Sequence, residues 1–292
     1  MEKVQLQAYA KVNLGLDVVR RLENGYHEVK MVMQTVDIYD TVMIEITREG
    51  ITMTSDSGEA PADENNLVYK AAKLFLETTG VDGGVNLTLI KRIPVAAGMA
   101  GGSTDAAAVL KGMNTLFETN LSIEQLQAMG VKLGADIPYC IMGGTALAEG
   151  IGEKLTKLPD VPKTYLVVAK PEISVSTKYV YENLHVETLT YHPDIDGMVE
   201  AISQNDMDGI LSRMENVLES VTAAKYTVIG DIKKFLEEHG AKKALMSGSG
   251  PTVFAIFDTE DAAVKAKEEL DKMHLAKQLF VTTFVKGDNY AG

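Results

Sequence analysis

The run Pro94-Val95-Ala96-Ala97-Gly98-Met99-Ala100-Gly101-Gly102-Ser103-Thr104-Asp105 stands between a β-rich segment, Val85 to Ile90, and the alanine- and leucine-rich stretch Asp105 to Phe117. Glycines there let a ligand approach the backbone closely. The free N–H groups of the helix that follows bring partial positive charge to bear on an anion. The run therefore predicts a phosphate site, with Ser103 and Thr104 as hydroxyl donors, one of which could also ligand Mg2+. A plain glycine-rich turn capped by Ser103 or Thr104 would leave the same local pattern. Two other phosphate fingerprints fail, because no lysine follows Gly102 and Gly248-Ser249-Gly250 continues as Pro251-Thr252-Val253.

Around this run the periodicities read as α+β. Val4 to Val19 alternates with a period of two, and Val29 to Ile46 offers two more β-rich runs split by Asp37 and Asp40, together an antiparallel sheet. Leu67, Ala71, Leu74 and Phe75 recur at helical spacing between Asn66 and Thr79, with Asp63 and Asn65 available as caps and Gly80 as the stop. Ser122 and Gln125 make a capping-box pattern for a helix ending near Gly134, and Thr145 to Leu158 reads as a hairpin. At 292 residues the chain exceeds one ordinary domain. The stretch Leu158-Pro159-Asp160-Val161-Pro162-Lys163 is the natural break, so two domains are expected, 1–160 and 161–292, with a cleft between them. The second half reads as a strand from Thr164 to Ala169, helices over Met198 to His239, a strand from Lys243 to Phe257, a helix from Ala262 to Met273 and a strand from Leu279 to Lys286.

With 28 basic and 41 acidic residues the net charge is −13, and no Lys/Arg-rich run overrides it, so neither nucleic acid nor a membrane surface is expected as a partner. An anionic substrate would have to be held by a few placed cations and by helix N-termini. The lone cysteine, Cys140, excludes an internal disulfide framework, and Cys/His clustering for a zinc site is missing. Apolar stretches fall short of the ~18 residues that span a bilayer. Met1 to Leu16 alternates, unlike a secretory leader. A soluble cytoplasmic protein, monomeric or homodimeric, is the expectation.

Asp136 lies in Gly134-Ala135-Asp136-Ile137-Pro138, between residues that keep its carboxylate off a solvated helix face. Such a group can accept a hydroxyl proton or simply cap a helix. Lys11 interrupts an otherwise apolar strand, and a half-buried strand lysine needs a partner or a route to solvent. An acidic partner would meet that need, as would a place on the wet face of the sheet, the commoner fate of a strand lysine. Asn13, two residues on, shares its face. Ser247-Gly248-Ser249-Gly250, ahead of the β-rich Thr252 to Phe257, could bring backbone N–H groups beside the first glycine run or could be a turn feeding a strand. Cys140 and the methionines Met31, Met33 and Met99 read as core fillers.

Three of these segments together resemble the GHMP kinases, a family that includes galactose, homoserine, mevalonate and phosphomevalonate kinases. Pro94 to Ala107 resembles the family's phosphate loop, Ala8-Tyr9-Ala10-Lys11-Val12-Asn13-Leu14 its N-terminal motif, and Leu245 to Phe254 its C-terminal glycine motif. They stand in family order across nearly the whole chain. Within the family, Gly25-Tyr26-His27, Gly134 to Pro138 and the form of the other motifs are most similar to the branch whose acceptor is a cytidine diphosphate-linked methylerythritol, in non-mevalonate isoprenoid biosynthesis. One departure is Ala100, which stands where the family has glycine and is not expected to reach positive φ easily.

The resemblance implies a two-domain α+β fold, ATP with Mg2+ as cofactors, and phosphorylation of the acceptor's 2-hydroxyl. It implies Lys11 and Asp136 as the catalytic pair. Nucleotide contacts are implied for Pro94, Ala97, Gly98, Ala100, Gly101, Gly102, Ser103, Thr104, Asn66 and Leu67, and acceptor contacts for Asn13, Tyr26, His27, Tyr181, Gly248 and Ser249. Tyr26 and Tyr181 would stack on the cytidine base, with His27 at its edge. A homoserine or mevalonate-pathway kinase would share the phosphate loop, but Gly25-Tyr26-His27 argues against it. A ligand-sensing homologue without catalysis would keep the glycine motifs and lose the Lys11/Asp136 pair, whereas both residues are present here.

Overall fold

The long alternation at the start of the chain becomes two long strands in the computed structural model, which describes residues 2–287. β1 (Lys3–Arg21) and β2 (His27–Thr47) pair antiparallel around a turn in which Gly25 has φ 86. β2 is not split at Asp37 and Asp40. Asp37 is exposed, and Asp40 turns its carboxylate inward to accept the N–H groups of Arg92 and Ile93, so neither residue interrupts the ladder.

β3 (Ile51–Ser55) and β4 (Gly84–Ile90) flank α1 (Leu67–Thr79) and run parallel, so the sheet is mixed rather than purely antiparallel. The helix supplies the crossover that a parallel pair needs. The cap of α1 is Asn66, which accepts from the Val68 N–H, and not Asp63 or Asn65; Gly80 ends the helix in the left-handed conformation. α2 (Gly101–Leu116) begins before the expected Asp105, taking the two glycines, Ser103 and Thr104 into its first turn. α3 (Ile123–Gly130) carries the complete Ser122/Gln125 capping box, and α4 (Ile137–Met142) follows. β5 (Thr145–Gly150) and β6 (Lys154–Lys157) close the six-stranded sheet in the order β3-β4-β2-β5-β6, with β1 on β2.

Residues 158–164 lead to β7 (Tyr165–Lys170), α5 (Thr177–Asn183), α6 (Ile195–Ser203), α7 (Met207–Ser212), α8 (Glu219–Lys225) and α9 (Val228–Glu238). The expected strand from Lys243 to Phe257 is two strands, β8 (Lys243–Met246) and β9 (Val253–Phe257), because residues 247–252 form a tight turn. α10 (Glu260–Lys272) and β10 (Gln278–Thr283) complete a four-stranded sheet, β10-β7-β9-β8.

β1 contributes side chains to two apolar clusters. Leu6, Val42, Ile44 and Leu87 pack under α1 and α2, while Ala10, Val12 and Leu14 join Leu166, Ile195, Met198 and Phe254 in a second cluster. Each fully buried leucine, valine or phenylalanine contributes about 1.5–3 kcal/mol. The two sheets thus share an interior, and backbone hydrogen bonds from Leu16 to Glu215 (2.9 Å) and from Val285 to Thr35 (2.9 Å) tie them together. Among the described residues no helix is long and apolar enough to cross a membrane.

Candidate functional site

A cavity of about 910 Å³ is bordered by the glycine run, the start of α2, β1, the β1–β2 turn, α5 and the residues just before α4. Every site residue expected from the sequence borders it except Thr104.

At one end lies the glycine run. Ala100 caps α2 with φ 58 and ψ 27, so it holds the left-handed conformation that its side chain was expected to resist. That conformation costs an L-residue about 1–2 kcal/mol. The first N–H groups of a helix have no partner within it, and the Thr104 N–H is the first to bond back, to Ala100 O at 2.9 Å. Ser103 borders the cavity. Thr104 does not: it is 0% exposed and faces inward towards Cys140, because position 104 falls on the buried side of α2. Asn66 and Leu67 border the cavity too, although the Asn66 side chain is already engaged, accepting from Val68 and donating to Pro61 O at 2.7 Å.

In the middle stands Lys11, which is 5% exposed. Its Nζ donates to Asn13 Oδ1 at 2.8 Å and to Gly98 O at 3.1 Å. No ion pair within 4.0 Å joins it to Asp136 among the described residues, so the expected contact pair is not formed. The strand register directs the lysine at the Gly98 carbonyl, while Asp136 is carried separately at the N-cap of α4. There its carboxylate makes no capping hydrogen bond. Gly98 O also accepts from Ser247 Oγ at 3.0 Å, and a methyl group on Gly98 would lie 2.2 Å from Ser247 O. A Cβ on Gly248 would sit 3.5 Å from Lys11 Nζ, so the second glycine motif abuts the first across the lysine. Asn216 holds that motif by donating to Met246 O and Gly248 O, each at 2.8 Å.

At the far end the His27 and Tyr181 rings lie 5.1 Å apart at 37°, and Tyr26 is 59% exposed on the turn. Burial, with the charge of Arg21 across the strand pair, lowers the His27 pKa against the opposing pull of Glu187. At neutral pH the ring therefore keeps a nitrogen able to accept a hydrogen bond. Burial and the charge of Asp136 push the Tyr181 phenol up, so it stays protonated.

Three cations on the cavity, Arg21, Lys91 and Lys178, escaped the sequence reading. Lys91 donates to Asp40 and, at 2.7 Å, to Asp105 Oδ2. Burial holds the Asp105 carboxyl well above its ordinary range despite the lysine; burial disfavours the Lys91 charge, yet the two carboxylates hold its ammonium above its usual value. A charged residue at the end of an apolar strand was the available signal for Lys91, but its partners lie 14 and 51 residues away. Lys178 sits on α5, a helix too short for periodicity to reveal.

Residues 66–144 match the GHMP kinases N terminal domain and residues 198–275 the GHMP kinases C terminal domain. The chain is 54% identical to 4-diphosphocytidyl-2-C-methyl-D-erythritol kinase of Lachnospira eligens, over 97% of this chain and 98% of that protein. It is 53% identical to the enzyme of the same name from Lachnoclostridium phytofermentans, over 99% of this chain and 100% of that one. A crystal structure of 4-(cytidine 5'-diphospho)-2C-methyl-D-erythritol kinase matches with a TM-score of 0.83 at 32% identity, covering 96% of this chain and 99% of that one. Homoserine kinase from Cytophaga hutchinsonii, at 22% identity and a TM-score of 0.76, covering 98% and 96%, shares the fold.

Proposed function

The chain belongs to the GHMP kinases, and from that membership we propose that it transfers the γ-phosphate of ATP to the 2-hydroxyl of 4-diphosphocytidyl-2-C-methyl-D-erythritol, in non-mevalonate isoprenoid precursor biosynthesis. The observation that carries the reading beyond the family is the continuity of the cavity: an open helix start, the Lys11 and Asp136 side chains, and the His27/Tyr181 pair border one space. That space suits a nucleotide triphosphate at one end and a nucleoside-linked alcohol at the other.

Gly98, Ala100, Gly101, Gly102 and Ser103 would receive the phosphates on backbone N–H groups and the Ser103 hydroxyl, with Pro94, Ala97, Asn66 and Leu67 against the rest of the nucleotide. Lys11, oriented by Asn13 and Gly98, supplies fixed positive charge to the phosphoryl group in transit. Asp136, its carboxylate uncommitted to capping, takes the proton as the acceptor oxygen bonds to phosphorus. A loose transition state asks for little deprotonation beforehand, so positioning carries much of the rate. Gly248 and Ser249 border the cavity from the C-terminal side, Tyr26 and Tyr181 would hold the base, and neutral His27 would accept from the N4 amine of cytosine.

The Ser103 hydroxyl borders the cavity and fits Mg2+ brought in with the nucleotide, where phosphate oxygens would complete the shell. The ion would neutralise charge on the phosphates. Use of ATP as cosubstrate supports a cytoplasmic location.

The test is a coupled ADP-release assay with the cytidine diphosphate substrate, mevalonate, homoserine and galactose. Turnover is expected with the first alone. Turnover with homoserine or mevalonate and none with the cytidine compound would overturn the assignment.

A further inference from the structure

One buried cluster grips the glycine run at both ends. Ahead of the run, Lys91 follows β4; behind it, Asp105 lies in the first turns of α2. Their side chains meet, Lys91 Nζ donating to Asp105 Oδ2 at 2.7 Å and also to Asp40 of β2, which is 0% exposed. The second oxygen of Asp40 accepts the N–H groups of Arg92 and Ile93, the latter at 2.8 Å. A single carboxylate of the sheet thus holds the strand end, the lysine and, through the lysine, the helix start.

The segment between these anchors is strained. Ala96 and Ala100 have φ 51 and 58, in the region L-residues avoid, and Gly101 is so close to the cluster that an added Cβ would lie 3.3 Å from Lys91 Nζ. Such conformations persist only where the surroundings over-determine them. A buried ionic cluster is a poor source of stability, since apolar side chains of similar volume would often serve as well; what it adds is a fixed geometry. Asp40 and Asp105 also share this buried space, a like-charge juxtaposition that pure stabilisation would not explain.

We propose that Asp105, acting through Lys91, is a positioning residue for the nucleotide: with Asp40 it clasps both ends of the glycine run and holds Ala100 left-handed, so that the first N–H groups of α2 face the cavity. The inference rests on the reading that this run receives the ATP phosphates. It separates loop geometry from fold stability, because a tie that merely stabilised the protein would affect ATP and acceptor alike.

Full-length Asp105→Ala, Asp105→Asn and the double variant Asp105→Ala/Ala100→Gly would be compared by initial rates with each substrate varied separately, and by calorimetric ATP titration. Asp105→Ala should raise the KM for ATP about tenfold and leave the acceptor KM within about twofold. Asparagine retains an oxygen to accept from Lys91, so Asp105→Asn should stay within about threefold of wild type for ATP. Glycine adopts the left-handed region freely, so adding Ala100→Gly should recover about fivefold of the loss. Should Asp105→Ala not fold, Asp105→Ser, too short to reach Lys91 as the carboxylate does, carries the same comparison. An unchanged ATP KM in the shortened variant, an equal rise in both KM values, or no recovery with Ala100→Gly would overturn the clasp. Wild-type protein that binds no ATP in the calorimeter would instead overturn the phosphate reading of the run.

Discussion

Lys11 gives its ammonium to Asn13 Oδ1, 2.8 Å away, and to the Gly98 carbonyl, and not to the carboxylate of Asp136. The lysine is therefore tied to the glycine run, and the aspartate borders the same cavity without that partner. A base held by a contact ion pair would be stabilised as the anion and weakened as a proton acceptor. Separation leaves Lys11 for the phosphoryl group and Asp136 for the hydroxyl.

Asp136→Asn should preserve the fold and ATP binding and cut kcat by about 10²-fold or more, since the amide cannot take the proton. Purified variant and wild type would be compared in the ADP-release assay. Near-normal turnover would remove Asp136 from the base role.

Lys11→Met should lower kcat by about 10²-fold and also leave Asn13 Oδ1 without its donor. Asn13→Ala should cost less, about 10-fold, because Gly98 O still holds the ammonium. A larger loss in Asn13→Ala than in Lys11→Met would contradict this order.

Gly101→Val should abolish nucleotide binding without unfolding the protein, though not by filling the phosphate space. An added Cβ would press on Ile93 at 3.2 Å and on Lys91 Nζ at 3.3 Å, so the substitution would displace the loop from behind. Wild type should gain about 2.7 kcal/mol of stability at ATP equal to 100 times Kd. A Gly101→Val melt shifted by ATP as far as wild type would refute the loop assignment.

Tyr26→Ala and Tyr181→Ala should weaken matched cytidine and uridine diphosphate acceptors about equally, because stacking contributes ~1–3 kcal/mol per base whatever its identity. His27→Ala should instead erode the preference for cytidine, since uracil offers the imidazole an opposed lone pair at a cost of ~1–3 kcal/mol. Specificity constants for both acceptors decide it. Equal constants in the wild-type enzyme would remove base-edge recognition, and an unchanged acceptor KM in Tyr26→Ala would remove the stacking.

Acceptor recognition should hold at neutral pH and fail as His27 takes up a proton. Burial and Arg21 lower its pKa, so the neutral ring persists to lower pH than in a free histidine, and the loss begins below the ordinary value of about 6.5. Folded protein binds that proton less readily than unfolded chain, so stability from this group is also present above the unfolded pKa and declines as pH falls through the folded one. Profiles of kcat/KM for the acceptor should lose this acid limb in His27→Ala; a limb unchanged in position and height would show that another group titrates.

Local residue chemistry alone determined the strand–glycine run–helix order, the Ser122/Gln125 capping box and the stop at Gly80, because each depends on neighbours within a few positions. The residues of the three motifs, standing in family order, also carried the resemblance to the GHMP kinases. Tertiary packing decided the rest. The side chain of Thr104 turns inward because α2 buries that face, which no hydroxyl count could reveal. Ala100 accepts a left-handed backbone because contacts on both sides of the run outweigh its intrinsic preference. The partners of Lys91 and Lys11 were set by strand register and loop closure: Asp40 lies 51 residues from Lys91, and Gly98 lies 87 residues from Lys11. A side chain's charge is written in the sequence, but the group that meets it depends on which distant backbone the folded core brings alongside.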